Sequence, residues 1–141
     1  MLLRVLVAAG LLAIIPSTWA TPPKNAVLVD HSTPTLMDSA TALGMVDQAI
    51  SARIWKLYPA SRWGYVTEVA GGINAGGTCV VTARVMMMQL TPTLKAMLYR
   101  PKKTSTSFDA LPNATQEQCR DLAKTKLHEA LDSITSGLVE S

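Results

Sequence analysis

The chain has 141 residues, with 13 basic and 10 acidic side chains, a formal net charge of +3 and two cysteines. A charge this mild does not suggest nucleic-acid binding, which normally goes with a strongly basic domain. The length is enough to fold on a real core, so no dense disulfide framework is required.

Residues 1–20 read as a cleavable secretory signal peptide. Arg4 supplies the positive n-region, residues 5–15 (VLVAAGLLAII) form an apolar run, and Pro16 ends it ahead of small residues around Ala20. A bilayer-spanning helix takes about 20 apolar residues, so this run is too short for a stable anchor. The expected working domain is residues 21–141, which is nearly neutral once Arg4 is removed.

Two prolines make residues 21–24 an extended lead-in. Residues 25–30 (NAVLVD) carry four consecutive apolar side chains and predict a short strand. Next comes a helix expected over 34–57. Pro34 suits its first turn, and Leu36, Ala40, Leu43, Val46, Ile50, Ile54 and Leu57 recur at helical spacing before Pro59 stops it. Aromatic and β-branched residues predict a strand over 63–70. The glycine-rich stretch 71–77 (GGINAGG) then reads as a mobile hairpin connection, and 78–90 as the longest strand. A turn at 91–93 leads to a strand over 94–99. Arg100, Pro101, Lys102 and Lys103 read as a basic corner, after which 104–108 extends the sheet. Thr115 and Gln118 have capping-box spacing and open a second long helix, with Cys119, Leu122, Leu127, Ala130, Ile134 and Leu138 on one stripe. The expected fold is α+β, in the order β-α-β-β-β-α, with a mainly antiparallel sheet and two long amphipathic helices.

Chemistry-bearing patterns are sparse. Cys79 alternates with Val81, Ala83, Val85 and Met87 on the more apolar strand face, and Cys119 lies on the stripe of the last helix. Packing that helix on that face brings the sulfurs together, so a structural disulfide is expected. The C-x-x-C spacing of a redox pair is absent, and two buried thiols are the remaining alternative. His128 and Asp132 share a helix face but fall short of the three protein ligands a zinc site takes. No serine sits in a G-x-S-x-G elbow. Glu68 is the only acid between residues 63 and 99, so the sequence nominates no carboxylate partner for it. The glycine stretch lacks the Gly-Lys-Ser/Thr ending of a phosphate cradle. Asn113, Ala114 and Thr115 match a glycosylation triplet, which matters only in a eukaryotic secretory route.

Two surfaces remain. Lys95, Arg100, Lys102 and Lys103 form the basic corner, suited to lipid headgroups or an anionic envelope polymer. Met86, Met88 and Leu90 alternate to the strand face opposite Cys79, where Met97 and Tyr99 of the next strand can join them. If both helices share the Cys79 face, this row meets solvent or a partner; if the first helix crosses the sheet, it is core. The expected function is an exported, non-enzymatic binding or accessory domain of the periplasm or secreted space. An inhibitor or immunity-type protein would fit, with a protein or envelope component as partner. The alternatives are a small secreted hydrolase assembled from dispersed residues and a membrane-surface-associated protein. No cofactor or metal is called for.

Overall fold

The computed structural model describes residues 27–94 and 96–140. The expected signal peptide, the lead-in and Lys95 therefore lie outside the described residues. Within them, four strands and three helices follow in the order β1 (Val27–Asp30), α1 (Ser39–Ala49), α2 (Ala52–Leu57), β2 (Trp63–Ile73), β3 (Cys79–Leu90), β4 (Met97–Leu111) and α3 (Gln116–Val139). The fold is α+β. Its sheet runs β1-β2-β3-β4, with β1 parallel to β2 and the other pairs antiparallel.

The helix expected over 34–57 is two helices. Asp38 caps α1, its carboxylate accepting from the Thr41 amide at 2.8 Å, and Ser51 caps α2 in the same way toward Ile54. Ile50 and Ser51 are extended. A short polar side chain that satisfies orphan amides starts a helix where it stands, and here it outweighs the continuous apolar period. The period still predicts part of the burial. Leu36, Val46, Ile50 and Ile54 are core, while Leu43 and Leu57 are exposed.

The expected glycine loop is largely strand. β2 runs through Gly71 and Gly72 to Ile73, and the Asn74 side-chain oxygen closes the hairpin by accepting from the Gly76 and Thr78 amides. Gly71 has φ +129°, and a Cβ there would sit 1.9 Å from the Val80 carbonyl oxygen. Close backbone approach, rather than loop mobility, explains this glycine.

The two strands expected over 94–99 and 104–108 are one, and the basic corner between them is part of β4. Met87 pairs with Lys103 and Met88 with Pro101, leaving Lys102 as the extra residue of a bulge. Proline lacks a ladder donor, and both an edge strand and a bulge tolerate that lack.

α3 is capped as its sequence suggests. Gln118 N donates to the Thr115 hydroxyl at 3.2 Å, and Thr115 N to the Gln118 side chain at 2.8 Å. Its stripe of Cys119, Ala123, Leu127, Leu131, Ile134 and Leu138 packs on the face carrying Cys79, Val81, Ala83, Val85 and Met87. Val46 of α1 with Ile54 and Trp55 of α2 complete the same core around Tyr65, whose ring meets Trp55 edge-on at 6.0 Å. All three helices thus serve one face of the sheet. No helix among the described residues is long and apolar enough to cross a membrane.

Candidate functional site

One face of the sheet is left outside the helical layer. In register across it stand Val66 and Glu68 of β2, Val80 to Met88 at alternate positions of β3, and Thr104, Thr106 and Phe108 of β4. Glu68 and Arg84 are direct cross-strand partners at 3.6 Å, both half-exposed, so their charges cancel in the middle of the face. At one end Phe108 is 77% exposed and Val80 is 44% exposed. Phe108 pairs with Thr82, so Val80 and Phe108 are diagonal neighbours on adjacent strands.

The methionine end of this face is closed. Met88 retains 8% exposure and Leu90 3%, and Met86 is half-buried. Gly64 explains much of this. Without a side chain of its own, it lets Met97 and Leu90 lie across it, and a Cβ there would meet them at 2.8 and 3.2 Å. Of the binding row expected at Met86, Met88, Leu90, Met97 and Tyr99, Met88 and Leu90 are covered from solvent and Met86 and Met97 are half-buried, while the Tyr99 side chain lies outside the described residues. The face they share is open further along the strands, around Phe108. Phe108 is the chain's one phenylalanine, in phase with Thr104 and Thr106, and that alternation is the sequence signal that marks it.

The basic residues separate as well. Lys103 points to the helix side, where its ammonium donates to the Gly137 carbonyl of α3. Arg100 and Lys102 line a groove of about 460 Å3 with Trp63, Gln89, Leu98 and Pro101. Neither makes an ion pair with another described residue.

Cys79 and Cys119 are bonded, with Cα atoms 5.6 Å apart and both residues fully buried. The bridge fixes the first turn of α3 to the start of β3. About two turns further along α3, Lys126, largely buried, bonds both Glu129 carboxylate oxygens at 2.7 and 2.9 Å and stands 3.3 Å from Asp109 of β4. Ser107 also donates to Glu129. This cluster secures α3 to β4. His128 and Asp132 meet at 3.0 Å on an exposed face, and His31 is exposed. No group of three His, Cys, Asp or Glu among the described residues is placed to hold a metal.

Asp30 is at the centre of a second polar network. Its carboxylate accepts from the Ser32 hydroxyl at 2.6 Å, Thr67 at 2.8 Å and Ser39 at 2.9 Å. Ser32 in turn accepts from the Val69 amide at 3.0 Å, so its proton and a lone pair are both engaged. The network ties β1, β2 and the entry to α1, and it leaves no activated nucleophile. Partial burial works to raise the Asp30 pKa, but the donated hydrogen bonds outweigh it and hold the carboxyl below its ordinary value. A carboxyl depressed in the folded state contributes stability above its unfolded pKa and loses it as pH falls through the folded value. Asp30→Asn is therefore expected to lower the melting temperature at neutral pH. It should also flatten the decline between about pH 5 and about pH 2. Thermal melts across that range check it; an undiminished acid decline in the variant would remove Asp30 from the account.

No protein-family model matches the sequence, and no curated protein matches it. Among solved structures, a presumed lipoprotein from Caulobacter crescentus CB15 is similar at 10% identity and TM-score 0.41, covering 79% of this chain and 88% of that one. A DUF330 protein from Xanthomonas campestris is similar at 10% identity and TM-score 0.42, over 85% and 87% of the two chains. The chain of the PelC dodecamer from Paraburkholderia phytofirmans is similar at 9% identity and TM-score 0.36, over 76% and 83%. At such identities and scores, function has to be argued from the chain's own residues.

Proposed function

We propose that this chain is an exported binding domain of the cell envelope or secreted space, and that the helix-free sheet face around Phe108 takes a protein partner. The observation that carries the reading is Phe108 itself, 77% exposed beside Val80 on an ordered strand. A large aromatic held rigidly at a surface supplies contact area at small entropic cost. The face around it is hydroxyl-rich and neutral, because Glu68 and Arg84 offset one another. That composition suits a protein surface better than an anionic lipid or polymer. The signal pattern of residues 1–20 supports export, and the buried disulfide suits an oxidising compartment.

Phe108→Ser tests the reading. The substitution removes an exposed ring, so the melting temperature is expected to stay within about 2 °C of the parent. Co-purification of the partner from the exported fraction is expected to fall at least roughly tenfold, the loss of a well-packed anchor. Undiminished co-purification by a folded Phe108→Ser protein contradicts the proposed face.

A further inference from the structure

The strand directions gather a second surface at one end of the sheet. β1 enters there, Val27 pairing with Gly64, and β2 begins there at Trp63, paired with Gln89 near the end of β3. The turn from β3 to β4 and the last turn of α2 lie at the same end, where the Tyr58 and Trp63 rings meet at 5.6 Å. Four cations collect here: Lys56, Arg62, Arg100 and Lys102. None makes an ion pair with another described residue. Apolar side chains stand out among them, with Leu94 at 84% exposure, Leu98 at 42% and Leu57 also exposed.

The acids are distributed differently. Asp30, Asp38, Glu117 and Asp121 lie toward the opposite end, where β1 finishes and α1 and α3 start. Glu68, Glu129 and Asp132 are paired along the body with Arg84, Lys126 and His128, and Asp109 pairs with Lys126. Asp47 on α1 and Glu140 at the end of α3 are the acids nearer the basic end, and neither lines the Trp63–Lys102 groove.

We propose that this end docks on an anionic lipid bilayer. Unpaired Arg and Lys beside projecting leucines and a tryptophan are the composition of a membrane-interface surface: cations meet headgroup phosphates while the apolar tips enter the boundary below. The groove between Trp63 and Lys102 has Arg100 and Lys102 in its lining, two cations able to receive a headgroup phosphate. The surface is distinct from the Phe108 face and does not depend on the protein-binding reading.

Co-sedimentation with vesicles of phosphatidylcholine alone, and of phosphatidylcholine with phosphatidylglycerol, tests the proposal on the oxidised exported protein. Binding is expected only with phosphatidylglycerol present and should weaken as salt screens the charges. Arg100→Gln with Lys102→Gln should reduce partitioning by at least roughly tenfold. Leu94→Ser should weaken it without altering the salt dependence, while Phe108→Ser should bind vesicles as the parent does. Circular dichroism melts confirm that each variant is folded. Equal binding to both vesicle types, binding to neither, or displacement by soluble glycerol phosphate alone overturns the proposal. Loss of partner binding with vesicle binding intact in Phe108→Ser separates the two surfaces.

Discussion

Replacing both Cys79 and Cys119 by alanine is expected to destabilise the folded chain by about 4 kcal/mol. The cysteines stand 40 residues apart, and the segment between them holds most of β3, all of β4 and the start of α3. Releasing that loop restores its freedom to the unfolded ensemble, which in the chain-entropy model is where the stabilisation originates. The folded state loses less, because the positions stay buried and alanine introduces no unsatisfied polar atom. Urea unfolding of parent and variant at equal slope gives the difference directly. Alkylation of the unreduced native protein should add no label. Two labelled thiols, or an unchanged unfolding midpoint, would contradict the contribution assigned to the bridge.

Met88→Asp is expected to cost at least about 3 kcal/mol, by removing a buried side chain and placing a charge where water is excluded. Met88 sits near Val66, Leu90 and Met97 over Gly64, with 8% of its surface exposed. Phe108→Asp, on the same sheet face, should cost little because Phe108 already meets solvent. Thermal melts of the two variants side by side measure the contrast. A stable Met88→Asp protein would return the methionine row to the surface.

These contrasts show how much the sequence reveals. The alternation Cys79, Val81, Ala83, Val85, Met87 and the stripe on α3 identify the two surfaces that form the core, because each period needs only local geometry. The capping box of Thr115 and Gln118 marks the start of α3 for the same reason. The break between α1 and α2 is harder to read. Ile50 and Ile54 keep helical spacing across it, and the competing caps at Asp38 and Ser51 are single polar residues. β4 is concealed by Pro101 and its cations, which resemble a turn until the strand is known to lie at the sheet edge.

The candidate surfaces depend even more on long-range placement. Leu90 alternates correctly to the outer face, yet Gly64, 26 positions earlier, gives it and Met97 room to fold flat. Lys103 follows Lys102 directly, but its register opposite Met87 turns it to the Gly137 carbonyl of α3 while Arg100 and Lys102 line a groove with Trp63. Phe108 stands exposed because all three helices choose the opposite face, which no local pattern dictates.

The central claim, that the Phe108 face meets a protein partner, is tested most directly by site-specific photo-cross-linking in the native exported compartment. A photoreactive phenylalanine analogue replaces Phe108 in one preparation and exposed Asp132 of α3 in another. The account predicts a discrete adduct from position 108 that is absent from position 132 and is lost when Val80→Lys is added on the same face. Identical adducts from both positions, or none from position 108 in folded exported protein, would contradict it.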